Sequence, residues 1–310
     1  MSATCTCTSK YENSGYPSCS GAVIAASRRL IMVPKYTNAG VLNKITIPTT
    51  LNAAYFNGKI TNSDRSIRWY PLPKHVNAEI AKEASVYETF NDGSKNFIHE
   101  GVANFKALYA AKQPNYLNIL KSGRCTEMGV FIVDKNGALI GNTNGESGVL
   151  YPLWISKNTT DAIMKWATDS TGLNIEFMFE FDADQYDENV HKIDASDMVS
   201  VNLLNGYDGL YDAAISYTST GQTSMVFALS SKYGGSVATP VKIQGLVAAD
   251  FALANLTDSA VVTVSTCAES PAGTYTLTYA SQTVADVIRV TPTLTGVDFT
   301  TVIATTSVVA

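Results

Sequence analysis

The feature that most constrains this chain is a set of short runs with period-two alternation, each broken off by a turn signal. Asn174–Phe181 is the clearest: Ile175, Phe177 and Phe179 fall on one face, and Glu176, Met178 and Glu180 on the other. A repeat of two is the geometry of a half-buried strand, because successive side chains point to opposite sides of the pleat. The turn residues then pair such runs into hairpins. Asp134-Lys-Asn-Gly137 separates Val130–Val133 from Ala138–Ile140, and Asn-Gly accepts the positive φ of a tight turn. Asn91-Asp-Gly93 separates Ala84–Phe90 from Lys95–Val102, and Ser219-Thr-Gly221 separates Ala213–Thr218 from Ser224–Leu229. Together they predict a mainly β fold of the α+β type, with a sandwich or barrel core.

Two short helices are expected within it. Pro114 opens one, Tyr116, Leu117 and Leu120 give its apolar stripe, and Gly123 ends it. The other begins near Thr159 or Thr160 and runs through Ile163, Met164, Trp166 and Ala167 to Gly172. After Pro240 come more β-type runs: Val261–Cys267, Thr274–Tyr279, Ala285–Val290 and Val302–Val309, with a turn at Ser270-Pro-Ala-Gly273. From Ile243 onward the only basic residue is Arg289, and Gly234-Gly235 leading to Pro240 reads as a linker. The expected division is an N-terminal arm at 1–20, a β-rich domain at 21–238 and an immunoglobulin-like β-sandwich at 239–310.

Composition narrows the function. Only 16% of the 310 residues are charged, the net charge is −5, and Thr, Ser and Asn fill the surface. Desolvating Thr or Asn costs less than desolvating Lys or Glu, so such a surface suits self-association. A nucleic-acid binder would need a basic stripe, and this chain carries the opposite balance. No run of about 18 apolar residues exists to span a membrane, and Met1–Ser20 lacks the apolar stretch of a secretory signal.

Catalytic patterns are sparse. His75, His99 and His191 share no motif, and His99-Glu100 lacks the second histidine of a zinc-protease helix. Gly145-Glu-Ser-Gly148 is one residue short of a nucleophile elbow. The expectation is a protein that is not an enzyme and carries no cofactor. Two metal candidates stand beside bland readings. Cys5, Cys7 and Cys19 could supply thiolates, but structural zinc sites favour Cys-x-x-Cys pairs and need a fourth ligand. The plainer reading is an arm that orders on a neighbouring subunit. Asp182, Asp184 and Asp187, followed by Glu188, resemble the start of a calcium loop, but the sixth position is not Gly and the twelfth is Ile193. A solvated loop fits better. Trp69 and Tyr70, in Trp69-Tyr-Pro-Leu-Pro73, are the interface candidates, as aromatics on an extended edge segment.

Several elements resemble virion proteins from tailed phages of Bacteroidetes, including crAss-like phages. They are Cys5-Thr-Cys7 with Gly15-Tyr-Pro-Ser-Cys19, Arg68-Trp-Tyr-Pro-Leu-Pro73, Asp92-Gly-Ser-Lys95 with Glu100-Gly101, Gly129-Val-Phe-Ile-Val-Asp134 and Phe179-Glu-Phe-Asp-Ala-Asp184. The resemblance covers roughly residues 5–185. It implies a virion structural subunit, a ring-forming tail-tube or neck protein around the DNA channel, assembled in the host cytoplasm. Its partners would be copies of itself and other tail, neck or portal proteins, and genome DNA would pass without specific binding. An immunoglobulin-like appendage fits that role. The alternative is a virion decoration, fibre or carbohydrate-binding adhesin module, using Trp69 and Tyr70 to hold a ligand.

Overall fold

The computed structural model describes residues 24–310 except 48, 111, 113, 183–188, 236–238, 301–304 and 310. It is mainly β, 48% strand and 8% helix, with two short α-helices. Among the described residues, no helix is long and apolar enough to cross a membrane.

The N-terminal part centres on two large sheets. One runs in the order Val190–Ile193, Leu139–Asn142, Met128–Asp134, Ser27–Pro34, Tyr70–Pro71, with Leu153–Trp154 also paired to Met128–Asp134. Its central strands are buried on both faces, which is why Leu30–Val33 and Val130–Val133 are continuous apolar runs rather than alternating ones. Leu30, Met32, Val130 and Ile132 point into a core shared with the second sheet. Ile31, Val33, Phe131 and Val133 point the other way, onto the helix Ala53–Ile60 and the segment around Leu203 and Tyr207. That helix was not among the sequence expectations. Asn52 caps it by accepting a 2.9 Å bond from the Tyr55 amide, and Phe56 and Ile60, four residues apart, fill the core beneath.

The second sheet is antiparallel throughout, in the order Asp161–Lys165, Asn174–Glu180, Ala103–Ala110, Val76–Lys82. Phe105, Ala107, Tyr109, Ile175, Phe177 and Phe179 form its core face, as the alternation predicts. Phe105 and Phe179 stack at 4.9 Å. Each such ring, fully buried, contributes roughly 1.5–3 kcal/mol from apolar area alone. The expected helix from 159 to 172 is instead the strand Asp161–Lys165. Ile163 and Trp166, its supposed apolar stripe, are exposed, while Ala162 is buried. Period two fits that burial and period 3.6 does not. The helix expected after Pro114 is present as Tyr116–Ser122.

The C-terminal part is a sandwich of immunoglobulin-like architecture, and its boundary differs from the expectation. Tyr211–Thr220 and Ser224–Gly235 lie in the same sheet as Thr274–Tyr279 and Val264–Glu269. The opposing sheet holds Ala260–Val262, Phe251–Asn255, Val287–Pro292 and Thr305–Ser307. Met225, Phe227 and Leu229 share one core with Leu253, Tyr275, Leu277, Ile288 and Val290. A division at 238/239 would cut this core in two. The two sides of the supposed linker are paired to each other, with Gly235 facing Pro240. The first core ends with Leu203, Leu204 and Tyr207, so the change from one core to the other comes near 208–211.

One buried charge cluster ties the cores together. Asp298, 4% exposed, takes Arg65 at 2.6 Å and Arg68 on one oxygen. Its other oxygen accepts from the Thr300 amide at 2.9 Å and hydroxyl at 2.6 Å. Burial opposes ionisation, but Thr300 and the two guanidinium groups outweigh it and hold the carboxyl well below the usual range.

Candidate assembly surface

The strands Val76–Lys82 and Ala103–Ala110 do not stop at the edge of their sheet. Past a bend they continue as a second hairpin, Val86–Thr89 with Lys95–His99, in which every strand residue is exposed. Gly101 makes the bend possible. A Cβ there would stand 1.9 Å from the Glu83 carbonyl oxygen, so any side chain would force the backbones apart. Beside it Lys82 Nζ binds Glu100 Oε2 at 2.7 Å. The tip is closed locally: Asp92 accepts from the Ser94 amide at 2.9 Å and its hydroxyl at 2.6 Å, and Gly93 takes φ +83°. The Ser94 hydrogen bonds hold the Asp92 carboxyl below its ordinary pKa.

This arm presents apolar side chains to water. Val86, Tyr87, Phe90, Phe97 and Ile98 are all exposed, Tyr87 by 52% and Ile98 by 55%, and the Tyr87 and Phe97 rings touch only edge to face at 5.8 Å. A two-stranded hairpin without a covering layer is marginal on its own. Contiguous exposed apolar side chains of this kind are the surface type that partner or ligand contacts use. The two terminal strands of the four-stranded sheet add to it: Ile163 and Trp166 are exposed at one edge and Ile80 at the other.

The residues singled out from the sequence are placed elsewhere. Trp69 is 3% exposed, packed at 5.1 Å on Phe131 and edge-on to Phe56 at 5.8 Å. It is a core residue and offers no face to a partner or a sugar. Tyr70 is half-buried, with its hydroxyl 3.3 Å from the Arg65 carbonyl. Cys5, Cys7, Cys19, Asp184 and Asp187 lie outside the described residues. Asp182 sits 3.7 Å from Lys35. Among the described residues no three His, Cys, Asp or Glu side chains gather as a metal site would require. His75 is buried against Phe105 and Tyr109 with Nε2 2.9 Å from the Ser27 hydroxyl, and burial lowers its pKa to about 4. His99 is exposed on the hairpin 86–99, and His191 is exposed on the edge strand Val190–Ile193 of the first sheet.

A groove of about 330 Å³ lies between Arg29, Lys74, Lys112, Asn205 and Asp208. Its buried guanidinium is already occupied, by the carbonyls of Leu72 and Leu203 and by Asp208 at 2.7 Å. The arm was missed at the sequence level although its hairpin was predicted, because exposure of Tyr87 and Phe97 depends on what the rest of the fold leaves uncovered. No family model matches this chain, and no curated protein is significantly similar to it.

Proposed function

We propose that this chain is a structural subunit of a virion, closing into a ring with copies of itself as a tail-tube or neck protein around the DNA channel. The observation that carries the reading is the arm at 86–99. Nothing among the described residues covers its apolar side chains, and they sit on a continuation of a packed sheet. A heterologous contact, arm against a different patch of the neighbour, closes into a ring when the rotation allows. The net charge of −5 suits a wall that DNA slides past, since like charge weakens contact with phosphates. The sandwich spanning 211–309 serves as an outer appendage, and other tail, neck or portal proteins would be further partners. Burial of Trp69 removes one of the aromatics on which a carbohydrate-binding reading relied.

The test is assembly of purified chain, followed by light scattering and negative-stain imaging. Rings or tubes are expected from the wild type at high concentration. The double substitution Tyr87→Ser and Phe97→Ser should abolish them while the melting temperature changes by no more than about 2 °C, since exposed substitutions cost within about 0.5 kcal/mol each. A wild type that stays monomeric at all concentrations, alone and with virion partners, overturns the proposal.

A further inference from the structure

The outer face of the four-stranded sheet carries charges in a row that alternates in sign from edge to edge. Glu79 on Val76–Lys82 lies directly opposite Lys106 on the next strand. Lys106 Nζ reaches Glu176 at 3.2 Å, and Glu176 also pairs with Lys165 on the far edge strand. Glu176 is almost fully buried beneath the two lysine stems. Burial raises its pKa, but the two ammonium groups bring it below the ordinary value. The row ends in a cation at one open edge and an anion at the other. Glu79 has no ion pair of its own among the described residues.

Resting on the self-association proposed above, we infer that the Asp161–Lys165 edge of one copy pairs with the Val76–Lys82 edge of the next, with Lys165 set beside Glu79. Three features select this arrangement. Each strand of the sheet is antiparallel to its neighbour and the strands are even in number, so the two edges run in opposite directions. A head-to-tail neighbour therefore meets the sheet antiparallel and continues its alternation. The side-chain period of two then limits the register, because a one-residue slip would turn every outer side chain inward. With Lys165 opposite Glu79, Met164 faces Ile80 on the inner side and Ile163 faces Ala81 on the outer. Both exposed isoleucines are covered by apolar partners. Sliding by two residues sets Ile163 against a carboxylate, Glu79 or Glu83, in either direction. The one like-charge contact, Asp161 near Glu83, falls beyond the end of the Val76–Lys82 strand, and Asp161 is already held by Arg124.

A two-fold pairing of two Asp161–Lys165 edges would also match opposite charges. It would draw on Asp161, which Arg124 occupies, and would leave the Val76–Lys82 edge and the adjoining arm uncovered. Head-to-tail contact uses both edges. Backbone hydrogen bonds across the joint supply attraction, and the charge row sets direction and register.

Charge reversal distinguishes the arrangements. Glu79→Lys and Lys165→Glu are prepared separately, and assembly is followed by light scattering at low ionic strength, where exposed charges are least screened. Each variant alone should assemble at least tenfold less readily than wild type. An equimolar mixture should recover to within about threefold, because every contact between unlike variants joins opposite charges. Circular dichroism and melting of each variant monitor folding. If Lys165→Glu unfolds the sheet by crowding Glu176, a cross-link serves instead. With the five native cysteines changed to serine, Ile163→Cys and Ala81→Cys proteins should form a disulfide on mixing and neither should alone, since directly opposed strand residues fall within disulfide reach. Variants that assemble like wild type, a mixture that fails to recover, or Ile163→Cys dimers formed alone would overturn the register while leaving self-association intact. A wild type that never assembles sinks the underlying reading as well.

Discussion

Replacing Asp298 with asparagine removes the charge that joins the two cores while keeping the volume of the side chain. Two contributions decide the magnitude. Arg68 has a side chain 4% exposed and would be left as a buried cation without its counter-charge. Removing one partner of a buried pair costs about 3–5 kcal/mol. Arg65 is 45% exposed, so its share is screened and worth no more than about 1 kcal/mol. Asparagine keeps the acceptor for Thr300, which softens the loss. The expected destabilisation is therefore about 3 kcal/mol, and at about 2 °C per kcal/mol for a chain of this size the melting temperature falls by about 6 °C. Arg65→Ala should cost about 2 °C on the same scale. The pH dependence has a definite sign. The folded carboxyl titrates well below its unfolded value, so its stabilisation is complete above about pH 4 and is lost as pH falls towards the folded pKa. Asp298→Asn should lack that acid-side loss. Scanning calorimetry from pH 7 down to pH 3 measures both quantities. A drop of less than about 1 °C at pH 7 would refute the argument, because it would mean that Arg68 finds equal solvation without the carboxylate.

Three further outcomes are expected. His75 is buried neutral with its pKa lowered to about 4, so the unfolded chain binds a proton that the folded chain refuses between about pH 6.5 and that value. Wild-type stability should decline by up to about 3 kcal/mol as pH falls through this window, and His75→Gln should flatten the decline in urea titrations. Gly101→Ala forces apart backbones that leave no room for a Cβ, at a cost of about 2 kcal/mol; hydrogen exchange should show faster opening of residues 86–99. Deleting 239–310 removes Leu253, Tyr275, Leu277 and Ile288 from a core that also holds Phe227 and Leu229, so the truncated chain should aggregate, whereas ending it at 208 should leave a soluble product on gel filtration.

The local grammar of the chain was legible because it depends on neighbours a few residues apart. Gly137 and Gly93 take positive φ where their hairpins reverse, and the third expected hairpin, Tyr211–Thr220 with Ser224–Gly235, is present as well. The alternation in Asn174–Glu180 places three aromatic or aliphatic side chains in the core, and Pro114 and Gly123 bracket a helix. Ambiguity began where two periods fit the same letters. Ile163, Met164, Trp166 and Ala167 suit a helical stripe, but hydrogen bonding to Asn174–Glu180 makes Asp161–Lys165 an edge strand.

Fold class and hairpin positions were determined by the sequence alone, since each follows from local backbone preference. Tertiary structure decided which apolar residues are covered. Trp69 and Tyr87 look alike as letters, yet one lies under Phe131 and the other stands in water, because coverage depends on strands and helices distant in sequence. The same holds for the joint between the cores, where Arg65 and Arg68 meet Asp298 across 230 residues or more. It holds too for the charge row, whose four members come from four strands and align only when the sheet has formed. Nothing in local sequence brings such groups together; register and packing do.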